Sequence, residues 1–352
     1  MQPDREVIDI RPDEGIETER LEPWLRERLP EVDGAFSLAQ FGGGHANLTY
    51  LIRFGENEYV LRRPPLGPVA PGAHDMGREH AVLKGLWQAF PLAPQSYVYC
   101  NDQEIIGADF HVMERRHGLA IRTELPDGYD WNAELNRRVG EMAVDVLASL
   151  HTADPAIAGL DGLGRPDGFL ERQMSGWSRR WEAAADENSS TTMRDIVGWL
   201  EKKRPESNHV SLLHNDFKLD NMLVAADDPA RAVAVLDWDM CTRGDPLADL
   251  GYMLAFWGEA GDDPAWIKGA SMPTWNDGFP TRDQVIERYA QATGFDCAHA
   301  DWYHLFGVFK IAVILQQIYI RYLRGQTQDD RFAVFGERID GLIDKAQTLA
   351  KL

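Results

Sequence analysis

The chain has 352 residues, with 36 Lys and Arg against 56 Asp and Glu, which gives a formal charge of −20 at pH 7. Hydrophobic residues at 44% and charged residues at 26% exclude a disordered or collagen-like chain and leave room for two domains or one large bilobal one. The acidity argues against general binding to nucleic acid or to an anionic membrane, both polyanions, though not against a local basic pocket for one phosphorylated ligand.

In chain order, the opening residues are polar and acidic, unlike the basic and apolar start of a signal peptide. A helix is predicted over 18–29, where Leu21, Trp24, Leu25 and Leu29 share a face and Pro30 ends the pattern. Strands follow at 36–41, 48–54 and 58–62, the first two flanking the run Gly42-Gly43-Gly44-His45-Ala46-Asn47. After a Pro/Gly-rich loop, 77–90 has helical spacing, and 96–100 and 109–113 read as strands. Residues 1–114 thus read as a small antiparallel-sheet lobe. From 115 to 352 the pattern turns helical, at 134–151, 169–185, 193–203, 282–293 and 302–323, with short apolar runs at 222–225 and 232–236. The fold class is α+β. The most apolar stretch, 306–322, is interrupted by Lys310, Gln316, Gln317 and Arg321, so it is expected to be a core helix and not a membrane span. Cys100, Cys241 and Cys297 are widely spaced with no CxxC, so a disulfide framework or structural zinc is not expected and a reducing, cytoplasmic setting is.

The densest chemical signal is LLHNDFKLDN at 212–221, followed by VLDWD at 235–239 and GDPLADL at 244–250. Phosphoryl transfer asks a protein for positioning and charge neutralisation: a carboxylate to orient the acceptor hydroxyl, and oxygen ligands for Mg²⁺. Asp216 supplies such a carboxylate, Asn221 and Asp237 such ligands, and Lys218 a cation for the transferred phosphoryl group. Any one of these Asx residues alone would read as a cap or a turn. Their joint spacing is the informative feature.

The pattern H-x-D-x-x-x-x-N, then D-W, then G-D-P-x-x-D-L resembles the aminoglycoside phosphotransferase and choline kinase family, relatives of the protein kinases. The resemblance implies a bilobal protein-kinase-like fold, ATP and Mg²⁺ as cofactors, and a small-molecule hydroxyl acceptor. It puts Asp216 in the catalytic-base position and Asn221 and Asp237 in the metal positions. His214, Asp245 and Asp249 become structural braces. Asn215 stands where the family has glycine, and asparagine adopts a left-handed backbone more readily than most residues. In the first lobe the resemblance gives Gly43, Gly44 and Asn47 to a nucleotide-covering loop. Arg62 takes the slot of the phosphate-binding lysine, with Glu79 as its partner, and strand alternation turns Arg63 to the other face. Backbone groups of Glu114 and Arg116 take the adenine-hinge position.

The segments YVLRRPP, HVMERRHG, LHTADP, ERQMSGW, HNDFKLDNML and FKIAVILQQIYIRYLRG are similar to a subgroup fused to acyl-CoA dehydrogenases, which implies a hydroxyacyl thioester or similar small hydroxyl acceptor. Arg172, Arg179, Arg180, Lys310 and Arg321 are the cations available to a CoA-type acceptor. An aminoglycoside acceptor is the alternative, since Glu259, Asp262, Asp263 and Asp277 lie in one loop beside Trp266 and Trp275. A pseudokinase is a third reading, kept open by Arg62 in place of lysine. Oligomeric state is not encoded in any of these features.

Overall fold

A computed structural model describes residues 7–42, 47–67, 74–185, 192–269, 272–327 and 329–352. The chain forms two compact units. One comprises Met1–His117, Asp154–Asp161 and Ala234–Cys241; the other comprises Gly118–Ala153, Gly162–Val233 and Thr242–Leu352. The first unit therefore extends past 114 and recruits two later segments. Ala234–Cys241 joins it because the Val235 N–H donates to Leu92 O at 2.8 Å and Trp238 meets Phe90 edge-on, with centroids 5.8 Å apart. Asp154–Asp161 joins it where a Cβ on Gly85 would lie 2.1 Å from Ala158 O, an approach that only glycine permits.

The first unit holds β1 (Val7–Ile8), α1 (Thr18–Arg26), β2 (Phe36–Phe41), β3 (Leu48–Phe54), β4 (Asn57–Arg63), α2 (Met76–Ala89), β5 (Ser96–Cys100), α3 (Gln103–Ile106) and β6 (Phe110–Glu114). The strands form a six-stranded sheet in the order β1-β2-β3-β4-β6-β5, with each neighbouring pair antiparallel. Tyr50, Ile52 and Phe54 alternate along β3 and bury their side chains with Leu21 and Leu25 of α1, Leu61 of β4 and Phe110 and Val112 of β6. This is the period-two signature of a sheet with a packed face. Helix α1 ends at Arg26, three residues earlier than its periodicity predicts, and the Arg28 and Leu29 N–H groups both turn back to Leu25 O, at 3.0 and 2.9 Å.

The second unit carries β7 (Leu119–Ala120), α4 (Ala133–His151), α5 (Phe169–Ala184), α6 (Thr192–Lys202), β8 (Ser211–Leu213), β9 (Met222–Ala225), β10 (Asp228–Val235, its last two residues in the first unit), β11 (Thr242–Gly244), α7 (Leu247–Phe256), α8 (Pro264–Gly269), α9 (Arg282–Thr293), α10 (Ala300–Leu323) and α11 (Phe335–Ala350). Asn132 caps α4 and a Thr281–Gln284 capping box starts α9, so both begin where side chains satisfy the first backbone donors. Helix α10 has the length and hydropathy of a membrane span, yet most of its apolar window is buried against its own unit. It packs on α7 through two glycines: a Cβ on Gly251 would lie 2.2 Å from Tyr303 O, and one on Gly307 2.4 Å from Gly251 O.

Candidate active site

In the first unit the register of β4 against β6 sets Arg62 opposite His111. Arg62 NH1 donates to Glu79 Oε1 and its NH2 to Asp237 Oδ1 at 2.9 Å. The Arg62–Glu79 pair expected from sequence thus forms, and Arg62 also grips the aspartate expected to bind metal. Glu79 is fully buried, and its second oxygen takes His111 Nε2 at 3.1 Å. Burial alone would raise the Glu79 carboxyl, but Arg62 and His111 hold it down at about 2. Ser96 Oγ continues the network, 3.1 Å from His111 Nδ1 and 2.9 Å from His80 Nδ1. Burial, with His111 and Lys84, pulls His80 down to about 4, so it is neutral at pH 7.

Arg63 is buried too, and its charge acts on Tyr50 and Glu14, in accord with the opposite facing expected of strand neighbours. Gly43 and Gly44 lie outside the described residues. Asn47 is buried, with its Oδ1 2.8 Å from His74 Nδ1. The Glu114 N–H donates to Gln95 O at 2.8 Å, so it is not open to an adenine ring. Its carboxylate pairs with Arg116 NH2 at 3.0 Å, and that guanidinium also donates to Pro91 O at 3.2 Å.

In the second unit, residues 214–221 leave β8 and pass through a turn of 3₁₀ helix at Leu219–Asn221 into β9. Asn215 has φ 67°, the left-handed conformation its replacement of glycine anticipates. Asp249, buried in the first turn of α7, accepts the His214 N–H at 2.6 Å and the Asn215 N–H at 2.8 Å, and also meets His151 Nε2 at 3.3 Å. Asp249 therefore braces the segment as predicted. Asp245 serves differently: it caps Leu247 N–H at 3.0 Å and accepts the Tyr303 hydroxyl at 2.6 Å, joining α7 to α10. His214 accepts the Asp216 N–H on Nδ1 at 3.3 Å.

The Asp216 carboxylate is held by several donors at once. Lys218 Nζ lies 3.0 and 2.9 Å from its two oxygens, Asn221 Nδ2 donates to Oδ2 at 2.7 Å, and the Tyr252 hydroxyl bonds the same group. Lys218 is thus engaged with the candidate base itself, not held apart for a phosphoryl group as the sequence suggested. Asn221 also donates to Asp216 O at 2.8 Å. Both of these bonds use the amide nitrogen, which leaves its oxygen without a partner among the described residues. Asp237 likewise gives one oxygen to Arg62. Mg²⁺ keeps several waters and needs only one or two protein oxygens besides substrate phosphates, so the Asn221 amide oxygen in the second unit and the Asp237 carboxylate in the first are each of a donor type it accepts. Among the described residues no cluster of three or more His, Cys, Asp or Glu could hold a metal without substrate.

Three side chains that shape these arrangements are not flagged by the motif: His111, Tyr252 and Lys310. The last carried one signal, a lone charge within the apolar run from Phe306 to Leu315. It is not a free cation for a CoA-type ligand, since Lys310 is buried and donates to Asn215 O at 2.7 Å. Arg172 is likewise turned back onto Arg165 O and Asp167 O. Trp177 is core, as expected. Three of the four acids proposed for a polycationic acceptor are also engaged: Arg282 pairs with Glu259 at 3.0 Å and with Asp262, while Asp263 caps Ala265 N–H at 2.8 Å.

Residues 37–303 match the family model described as "Phosphotransferase enzyme family". Acyl-CoA dehydrogenase family member 11 of Gallus gallus is 31% identical over 360 residues, covering 97% of this chain and 44% of the relative. The chain therefore spans less than half the length of that curated relative. Among solved structures, one from Ralstonia eutropha JMP134 that carries the aminoglycoside phosphotransferase name superposes with a TM-score of 0.80 at 27% identity, covering 96% of this chain and 99% of the other. The aminoglycoside phosphotransferase APH(4)-Ia, in a ternary complex with AMP-PNP and hygromycin B, superposes with a TM-score of 0.58 at 18% identity, covering 92% of this chain and 98% of the other. The protein-kinase-like α+β fold expected from the sequence is the fold these structures share.

Proposed function

Because the chain belongs to the phosphotransferase enzyme family, we propose that it is a small-molecule kinase that uses ATP and Mg²⁺ to phosphorylate an alcohol. The observation that carries this reading is the carboxylate of Asp216, fixed by Lys218, Asn221 and Tyr252 in a loop braced by Asp249. In the proposed reaction Asp216 orients the acceptor hydroxyl and takes its proton. The acceptor oxygen then bonds to the γ-phosphorus, the bond from that phosphorus to the bridging oxygen breaks, and ADP departs. Arg62, placed by Glu79, meets phosphate charge. As the family resemblance implies, the Asn221 amide oxygen and the Asp237 carboxylate would each be a donor to Mg²⁺, which would supply charge neutralisation at the nucleotide phosphates when bound.

For the acceptor we favour a hydroxyacyl thioester or a related small hydroxyl compound. Support comes from the subgroup motifs and from the acyl-CoA dehydrogenase name of the relatives that match over nearly the whole of this chain. An aminoglycoside acceptor is disfavoured, because a polycation needs converging free carboxylates and Arg282 already pairs with both Glu259 and Asp262. A panel of hydroxyacyl thioesters, other hydroxylated metabolites and aminoglycosides, assayed for phosphate transfer from ATP, tests the reading. Transfer to hydroxyacyl compounds is expected, and efficient transfer to aminoglycosides alone would overturn the choice of acceptor.

A further inference from the structure

We propose that Lys310 is a positioning residue for Asp216, acting by fixing the Asn215–Asp216 peptide from the carbonyl side. This rests on the proposed role of Asp216 as base. Asn215 is in a left-handed conformation, which persists in a non-glycine residue where its surroundings hold it. Both polar ends of its backbone are held. The N–H goes to Asp249 Oδ1 at 2.8 Å, and the carbonyl accepts from Lys310 Nζ at 2.7 Å. One grip comes from α7 and the other from α10, so Asn215 is clamped between two packed helices, and Lys310 holds the carbonyl of the peptide that leads into Asp216. That peptide sets the direction in which the Asp216 side chain leaves the loop.

The ammonium is an unusual group to bury for a purely structural task. Lys310 lies 4.0 Å from the centroid of the Tyr252 ring and 5.6 Å from that of Trp177. Tyr252 in turn bonds the Asp216 carboxylate, so Lys310 supports the base through a second path. Burial pulls the Lys310 ammonium down to about 8 even though Asp249 and Asp216 favour its charge; Lys218 and Arg180 add to the lowering. An apolar residue at this place in α10 would pack against Tyr252 and Trp177 without that desolvation cost. What it would lack is the donor to Asn215.

The test compares the whole 352-residue chain carrying Lys310→Met, which removes donor and charge but keeps an apolar stem, with Lys310→Gln, which keeps an N–H donor without charge. Two quantities are read: steady-state turnover of Mg-ATP, and hydrogen–deuterium exchange of residues 212–222. Lys310→Met should exchange faster at 214–218 and lose about tenfold or more in kcat, with KM for ATP held within about twofold, since small misplacements of a reacting group cost this much. Lys310→Gln should recover part of both. Wild-type loop exchange with wild-type kcat in Lys310→Met would overturn the proposal, as would faster exchange throughout the second unit with kcat per folded molecule unchanged. If Lys310→Met does not fold, Lys310→Gln decides alone: a kcat below wild type with an unmoved KM supports the proposal and a wild-type kcat overturns it. A wild-type chain with no turnover counts against the proposed function only, because loop exchange still decides the role of Lys310.

Discussion

Arg62 shows how one side chain couples two acids in the first unit. Its NH1 serves buried Glu79 and its NH2 serves Asp237, so its loss strands one carboxylate and releases another. Arg62→Ala should raise the ATP KM roughly 10- to 150-fold, the range for losing a charge-assisted hydrogen bond. It should also lower stability by about 3–5 kcal/mol, because Glu79 stays buried without its cation, left with His111 and the Trp238 backbone. Arg62→Lys keeps charge but not the fork that reaches both acids, and its KM should fall between the two. Steady-state kinetics and denaturant melts check both effects. Glu79 adds a pH signature. Its folded pKa of about 2 lies below the ordinary 4.5, so its contribution is complete above about pH 4.5 and is lost as the pH falls toward 2. Glu79→Gln should flatten the stability profile in that window, measured as denaturant midpoints at about pH 5 and pH 3. Asp216, Asn221, Asp237, Arg62 and Glu79 were legible in the sequence because the chemistry fixes their spacing along the chain. His111 and Tyr252 were not, and Lys310 showed only as a lone charge in an apolar run, because strand register and helix packing, which link distant positions, bring them to those residues.

Helices α7 and α10 carry the braces of the candidate base, and they meet backbone to backbone at Gly251 and Gly307. A methyl group at either position would strike a carbonyl oxygen that cannot step aside. Gly307→Ala should therefore lose about 1–3 kcal/mol or more, through overpacking that outweighs the better helix propensity. Gly176 in α5 has open space around its missing Cβ. Gly176→Ala should instead gain about 0.4–1 kcal/mol, so the two substitutions move the urea midpoint in opposite directions. The longer elements were readable from periodicity alone, β2, β3, β5 and α9 to the residue. Strands β8 and β11 were not, since three residues show no period and are strands only by pairing with each other. Helix α11 also went unread; Gly336 and Gly341 and several charges interrupt its apolar positions.

Across the whole chain, the charge of −20 suggests at first an enzyme suited to cationic substrates. The structure weakens that argument, because Arg282 already holds Glu259 and Asp262, two acids of the loop where such a substrate would be met. Kanamycin-like drugs should accordingly be phosphorylated with kcat/KM below about 10⁴ M⁻¹s⁻¹, the low end for enzymes on their own substrates. The central claim is that this chain transfers phosphate through Asp216. It is tested most directly by following the labelled γ-phosphate of ATP onto hydroxyacyl thioesters, with Mg²⁺, in the wild-type chain and in Asp216→Asn. Label should appear on the acceptor hydroxyl in the wild type and fall by roughly 10²–10⁴-fold in the variant, while ATP binding persists. Equal transfer by Asp216→Asn would contradict the account.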